Sequence, residues 1–484
     1  MEENNKLDKM EQIVNLAKRR GFIIGSSEIY GGIASIYDWG PLGLALKNNL
    51  KNLFWKNFVQ KRLDMEGIET SIIMHPKVWE ASGHLKNFSD PLVECQKCHL
   101  RFREDHLENY KLQIANNKQN SNDDKKIINL SSEISNSLKC PQGGEHQFDQ
   151  ARQFNLMFKT YLGATEESTD IAYLRPETAQ GMFVNFRYIQ EVMRKKIPFG
   201  IAQIGKSFRN EISLGNFIFR LREFEIAELE YFVKPGEDEA SFDSWVVEWE
   251  NFLTSVGLSR DNLRREEKAK ESLAHYSKAT TDIYYKYPHG WDEIAGIANR
   301  TDFDLQQHME LSKKDLSYFD NETGQKYIPY VIEPTLGIDR LVMAVLCEAY
   351  MEFSGGRGEK KENSSDENSE KEIVLDLQYS IAPINVAILP LVKKGGLREK
   401  ALEIVEKLNG DFIVDYDESG SIGRRYRRQD EVGTPFCITV DFETLDDQKV
   451  TIRDRRTMQQ SRVSIDKLKE VLKNSLTGNS LLVG

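Results

Sequence analysis

Two short stretches carry a heavy load of charge for segments that otherwise read as strands. They are SFRNE, residues 207–211, and FRLREFEIAELEYF, residues 219–232. Arginines suit phosphates, an aromatic ring suits a nucleobase, and carboxylates suit amines. Strand alternation puts Arg209 and Glu211 on one face, with Phe208 and Asn210 on the other. In the second stretch Arg220, Arg222, Phe224, Ile226, Glu228 and Glu230 share a face, and Phe219, Leu221, Ala227 and Leu229 oppose them. The link ISLGN, with Gly215 and Asn216, reads as a loop. Two neighbouring strands would then present one face of arginines, carboxylates and a single ring. Such a face is either a ligand floor or a solvated, salt-bridged sheet surface.

The chain that must position this face has 484 residues, room for two to four domains. A hydrophobic fraction of 39% supports a folded core. No apolar run approaches the roughly 18 residues that span a membrane. The first residues, MEENNKLDKMEQ, are polar and acidic and do not read as a secretory signal. Five cysteines, Cys95, Cys98, Cys140, Cys347 and Cys437, are too few for a disulfide framework. These features together predict a cytoplasmic protein. The net charge of −11 argues against general coating of nucleic acid, but leaves local basic clusters at GRRYRRQ (423–429) and IRDRR (452–456).

Apolar residues at helical spacing predict a long amphipathic helix over 42–64, followed by a strand in ETSIIMHP. Residues 108–137 are rich in Asn, Lys and Ser and read as an inserted excursion, and 354–372 as a polar linker. Beyond it, strands at 384–392, 411–417 and 435–442 alternate with helices at 397–409 and through IGRRYRRQDEV, which implies a small α/β domain.

Four further segments belong with the charged pair: LRPETAQGMFVNF (174–186), EIAGIANRTDFDLQQH (293–308), EPTLGIDRLVMAVL (333–346) and the helix at 42–64. In this order the chain resembles the class II aminoacyl-tRNA synthetases, and within them the dimeric glycyl-tRNA synthetases. SFRNE with REFE resembles the second signature of the class, GIDRLVMAVL the third, and 42–64 with ETSIIMHP the first, dimer-forming one. YDWGPLG (37–43), HPKVWEASGH (75–84), RQFNLMFKT (152–160) and GSIGRRYRRQDEVGTPFCIT (420–439) resemble the glycine enzymes over longer runs.

The resemblance implies an α+β protein: an antiparallel class II sheet flanked by helices, plus a C-terminal α/β anticodon-binding domain. Residues 1–92 and 150–353 would form the catalytic domain, 93–149 an insertion, 354–376 a linker and 377–484 the anticodon-binding domain. For ATP, it implies that Arg209 holds the α-phosphate, Glu211 meets the adenine edge, Phe224 stacks on the base and Arg340 reaches the γ-phosphate, with Asn210, Phe219, Arg220, Ile294 and Gly337 beside them. Glu293 resembles a magnesium-linked carboxylate. For glycine it implies Glu177 and Glu333 around the ammonium, Arg300 on the carboxylate, and Arg175, Glu228 and Thr335 lining the pocket. The family usually has serine where Thr335 stands, so a hydroxyl is kept and a methyl added. Fixed guanidinium groups suit the chemistry, because adenylate formation gathers negative charge on phosphorus.

CQKC (95–98) and CPQGG (140–144) resemble the zinc knuckle of part of this family, which has CPxC as its second half. Structural zinc takes four ligands. With Cys95, Cys98 and Cys140 alone, and His146 at an unusual spacing, the sequence favours a degenerate, metal-free insertion.

The implied activity is ligation of glycine to its tRNA, using ATP with magnesium, by a homodimer with no membrane association. Arg424, Arg425, Arg427 and Arg428 would face the tRNA. The rival reading is a non-catalytic, nucleic-acid-binding relative that keeps the fold. It gives no reason for Arg209, Glu211, Phe224, Glu333 and Arg340 to occur together.

Overall fold

Seven strands build the sheet that carries the charged face. The computed structural model describes residues 8–104, 140–144, 146–163, 171–212, 215, 217–274, 276–354, 357 and 371–476. In chain order the strands are β1 (Met65–Gly67), β2 (Phe199–Phe208), β3 (Glu223–Val233), β4 (Leu263–Glu267), β5 (Ala279–Tyr287), β6 (Gly290–Thr301) and β7 (Tyr330–Gly337). Across the sheet they run β4-β5-β6-β7-β3-β2-β1. All neighbours are antiparallel except β1, which lies parallel to β2 at the rim.

Alternation sorts this sheet cleanly. Ala227, Leu229, Tyr231 and Val233 of β3, with Ile332 and Leu336 of β7 and Ala295 and Ile297 of β6, point into the main core. Three helices cover that face: α1 (Pro41–Trp55), α2 (Asp238–Ser255) and α3 (Ile338–Ala349). Their Phe54, Trp245, Trp249 and Leu341 fill it. Glu228, Glu230, Glu333 and Thr335 therefore face the other way. A second apolar cluster closes one end of that face, where the helix Ala179–Val192 lays Met182, Phe183 and Phe186 on Phe199, Ile201 and Phe232.

Several local expectations need correction. β2 stops at Phe208 and β3 begins at Glu223, so Arg209, Asn210, Glu211, Arg220 and Arg222 lie in the connection and not in strands. Residues Phe217–Phe219 form a 3-10 turn there. The first predicted helix ends earlier, at Trp55, and continues only as the π-helical turn Lys56–Gln60. The strand expected in ETSIIMHP sits before it, at Met65–Gly67. Its place is set by Gly200 opposite Met65, where a Cβ would come within 2.4 Å of the Met65 sulfur. In ETSIIMHP the backbone is engaged by side chains instead of a ladder: Thr70 N–H donates to Gln203 Oε1 at 3.1 Å, and Arg175 Nη1 donates to Thr70 O at 2.8 Å.

The C-terminal part is a five-stranded sheet. Val386–Pro390 runs parallel to Val414–Tyr416 and Phe436–Val440, with helices Leu397–Leu408 and Ile422–Val432 between. Two antiparallel strands missed in the sequence, Lys449–Asp454 and Gln460–Ser464, complete it. The range expected as linker ends in a strand, Glu372–Leu375, paired with Tyr350–Phe353. Most of 354–372, and the excursion at 108–137, lie outside the described residues. Among the described residues no helix is long and apolar enough to cross a membrane.

Candidate active site

The connection between β2 and β3 folds back over the start of α3. Arg209 donates its Nε to Pro176 O at 3.1 Å, and its guanidinium lies between the rings of Phe88 and Phe224, 5.4 and 5.3 Å from their centroids. Arg222 anchors the connection through N–H to Ser35 O (3.1 Å) and Nη1 to Ala34 O (3.2 Å). From the first turn of α3, Arg340 spreads over the Phe219 ring at 4.3 Å and donates to Phe219 O (3.3 Å) and Glu293 O (2.8 Å). The Glu293 carboxylate is 3.4 Å away. Gly337 leaves the Arg340 stem its room, since a Cβ would touch it at 3.4 Å. Arg209, Phe224, Arg340 and Glu293 thus line one floor. Phe219 and Ile294 do so less directly, because both side chains are buried in the main core and only Phe219 carries a guanidinium on its ring. Arg220 and Glu211 sit half-buried in the same connection.

Next to this floor, five carboxyl groups surround one buried guanidinium. Arg300 donates Nε and Nη2 to Asp304 (2.7 and 2.9 Å) and Nη1 to both oxygens of Glu333 (2.9 and 3.0 Å). Its plane stacks on Tyr276 at 3.9 Å. Gln180 ties Glu177 to Asp304, donating its Nε2 at 3.0 and 2.9 Å, and its Oε1 accepts from His308 Nε2 at 2.8 Å. His84 Nε2 lies 3.3 Å from Glu177. Glu228 accepts from Thr178 N–H at 2.6 Å and from the Thr178 hydroxyl. Arg175 is spent on backbone: Nε donates to Lys206 O at 2.7 Å and Nη1 to Thr70 O at 2.8 Å. Gly205 makes that possible, since a Cβ there would stand 2.3 Å from Arg175 Nη2.

Burial and mutual repulsion sort these acids. Burial and the nearby Glu177 push Glu228 above the usual carboxylate range. Glu333 is pushed up to about 8, by burial first and then by Glu228 and Glu177, against the pull of Arg300. Glu230 is 0% exposed, neither of its oxygens has a hydrogen-bond partner, and burial with Glu333 alongside drives it well above the range. Burial would raise Glu177 too, but His84 and Arg300 outweigh it and hold that carboxyl well below the range. The pocket is short of positive charge, which is the condition an ammonium relieves.

Two corrections follow. Arg300 holds Glu333 and Asp304 and does not present a free fork to a ligand carboxylate. Arg425 is 2% exposed and donates to Pro390 O, Asp417 O and Leu391 O, because its helix turns that position toward the sheet. Arg428 pairs with Asp417, while Arg424 and Arg427 are exposed. In the second basic cluster Arg453 pairs with Asp430, and Arg455 is buried against Asp376. Residues given no role from sequence, Glu230, Asp304, Gln180, His84 and Tyr276, complete the pocket. For Glu230 the signal was present, as it shares the strand face of Glu228.

In the insertion, the donor atoms of Cys95, Cys98, Cys140 and His146 all lie within 4.8 Å of one another. The fourth cysteine is absent, as expected, and His146, the candidate substitute at an unusual spacing, lies beside the three thiols: next to the isolated bridge between Cys95 and Phe148, its Nδ1 is 3.5 Å from the Cys98 sulfur.

An arginine-and-ring floor on an antiparallel sheet, with an α/β module downstream, defines a class II aminoacyl-tRNA synthetase. Residues 158–350 match the family model described as tRNA synthetase class II core domain (G, H, P, S and T), and 385–475 match that of the anticodon binding domain. The chain is 51% identical over 472 residues to a protein of Caldanaerobacter subterraneus subsp. tengcongensis, covering 96% of this chain and 98% of that one. It is 51% identical over 469 residues to one of Bacillus cereus (96% and 99%) and 52% identical over 465 residues to one of Acetivibrio thermocellus (95% and 96%). Each carries the name glycine--tRNA ligase. The chain belongs to the glycine--tRNA ligase family.

Proposed function

We infer that this protein activates glycine with ATP and ligates it to tRNA. One observation carries the substrate assignment: a buried cluster of five carboxyl groups around one guanidinium, beside an arginine floor. Glycine's ammonium enters between Glu177, Glu228 and Glu333. Its carboxylate attacks the α-phosphorus of ATP, forming the acyl-phosphate bond as pyrophosphate leaves with the P–O electron pair. Arg209 meets the charge that builds on that phosphorus, Phe224 stacks on the base, and Arg340 holds the γ-phosphate of the leaving group. The terminal ribose hydroxyl of the tRNA then displaces AMP at the glycyl carbonyl. The protein works by positioning, without covalent chemistry of its own.

Magnesium would be held by Glu293 with Asp282, a buried carboxyl pushed up by burial and by Glu293 itself. Bound there, it would neutralise phosphate charge. The three thiols and one imidazole of the insertion suit tetrahedral zinc, which would brace that lobe. Glycine tRNA would meet Arg424 and Arg427 on the C-terminal domain. A second copy would cover exposed apolar side chains such as Leu63, Ile72, Ile73, Tyr188, Val192 and Met193. The setting is the cytoplasm.

Pyrophosphate exchange into ATP with each of the twenty amino acids tests the activity. Glycine alone should drive it, and exchange driven by another amino acid would overturn the reading. Arg209→Ala and Arg340→Ala should each lose about 2.7–4 kcal/mol of transition-state stabilisation.

A further inference from the structure

We propose that Lys47 is a positioning residue that sets the aim of Phe224 and Arg340 without touching ATP. Lys47 is 3% exposed, and its ammonium joins three elements, α1, β3 and α3. From the middle of α1, Lys47 Nζ donates to Asp339 Oδ1 at 2.6 Å and pairs with Glu225 Oε2 at 2.9 Å. Asp339 closes the triangle: its Oδ2 accepts from Glu225 N–H at 2.6 Å. Lys51, one turn along α1, takes the other oxygen of Glu225 at 2.5 Å. The Trp39 ring lies beneath the Lys47 ammonium at 4.5 Å.

The chain neighbours give this arrangement its meaning. Glu225 follows Phe224, and Asp339 precedes Arg340. Both lie within the first residues of their elements, β3 from Glu223 and α3 from Ile338. The first N–H groups of a helix have no partner within it, while the start of β3 is held on its other edge by β2. One ammonium thus fastens the start of the strand that carries the base-stacking ring to the start of the helix that carries the phosphate-binding arginine.

Charge explains why the tie is specific. Lys47 and Lys51 face Glu225 and Asp339, two positive groups against two negative, and among the described residues neither lysine pairs with any other acid. Buried ion pairs contribute little net stability against an apolar filling, so stability is a poor reason for this cluster. Removing the Lys47 charge leaves Asp339 and Glu225 facing each other with only the partly exposed Lys51 as counter-ion. The two carboxylates then separate, and Phe224 and Arg340 separate with them. A displacement of about 1 Å at such a site is enough to cost about 100-fold, and because both side chains hold ATP the loss falls on ATP binding.

The inference rests on Phe224 and Arg340 serving ATP, and the test separates the two. Glycine-dependent pyrophosphate exchange by the unaltered protein checks the activity. Lys47→Met, with KM measured separately for ATP and glycine, checks the positioning. The expected result is an ATP KM raised by about tenfold or more with glycine KM within about twofold, and substantial recovery in Lys47→Arg. A fall in kcat with both KM values unchanged, or equal rises in both, would overturn it. Should Lys47→Met fold poorly, Lys47→Met combined with Asp339→Asn leaves Lys51 and Glu225 balanced. That variant should fold and keep the ATP defect, and a normal ATP KM in it would equally overturn the proposal.

Discussion

Arg300 gives one nitrogen to both oxygens of Glu333, and that pairing fixes the orientation of the carboxylate proposed to meet the substrate ammonium. The other edge of the same guanidinium is clamped by Asp304, so the arginine acts on the pocket's walls. Arg300→Ala should cost about 3–5 kcal/mol of folding stability, since it strands buried carboxylates without a counter-charge. Urea denaturation measures this. A loss under about 1 kcal/mol would mean that the acids simply take up protons.

Glu230 makes stability depend on pH in a defined direction. Below the ordinary value of 4.5 folded and unfolded chains both carry its proton, and the residue costs nothing. Above 4.5 the unfolded chain releases the proton while the folded chain, whose value is raised, keeps it. Stability therefore falls with rising pH until the folded value is passed, by at most about 1.4 kcal/mol per pH unit. Glu230→Gln copies the neutral acid and abolishes this slope. It should match its parent near pH 4, exceed it in melting temperature near pH 8, and retain glycine-dependent exchange. A variant less stable than its parent at pH 8 would show that the folded protein ionises Glu230 and uses the charge.

Thr335 stands opposite Glu228 in the β3–β7 pairing and shares its strand face with Glu333, while its carbonyl accepts from Trp249 Nε1 at 3.2 Å. The backbone there is held from the core side, and in the proposed pocket the side chain would stand as a wall against any Cβ on the substrate. Thr335→Ser should leave glycine activation near normal. Thr335→Ala should raise glycine KM and relax discrimination against alanine by about 1–3 kcal/mol. An unchanged alanine-to-glycine ratio in exchange kinetics would remove Thr335 from the wall.

Arg424 and Arg427 should behave differently from their neighbour Arg425. Reversing both exposed charges is expected to weaken aminoacylation, spare glycine-dependent exchange and flatten the salt dependence of tRNA binding. Arg425→Ala should instead destabilise the C-terminal sheet by about 1–3 kcal/mol, because buried carbonyls lose their donor. Equal loss of exchange and aminoacylation in the double reversal would make the pair structural.

Which of these roles could be read from the chain depended on how local they are. From Phe224 to Glu230 the period of two was a sound guide, since Ala227 and Leu229 are buried on the opposite face. The same period misled at Arg209, Glu211, Arg220 and Arg222, where alternation continues by chance through a connection that is not a strand. Arg425 was legible in principle: Arg425, Gln429 and Val432 are buried together at helical spacing, a stripe the run of arginines hid. Glu177 and Glu333 were legible through the family resemblance, but the way the pocket sets their charge was not. It depends on Glu177, Asp304 and Glu333 arriving from three separate segments, and only their shared burial raises or lowers each proton affinity. His146 was visible in the sequence, but its approach to the thiols goes with the long-range bridge between Cys95 and Phe148, which no spacing rule contains.

The strand order has a consequence for how the protein is made. β7, which lies between β6 and β3, is the last of the seven to be synthesised, and β1 at the rim is the first. Until residue 337 has left the ribosome, β3 and β6 each present a bare hydrogen-bonding edge, and the hydrophobic undersides of both lack the helix that follows, Ile338–Ala349. Unpaired edges of this kind invite pairing with other chains. The nascent catalytic half therefore cannot mature piece by piece from its amino terminus. It stays an open set of flanks awaiting one late central strand, and its demand on chaperones is greatest just before that strand emerges.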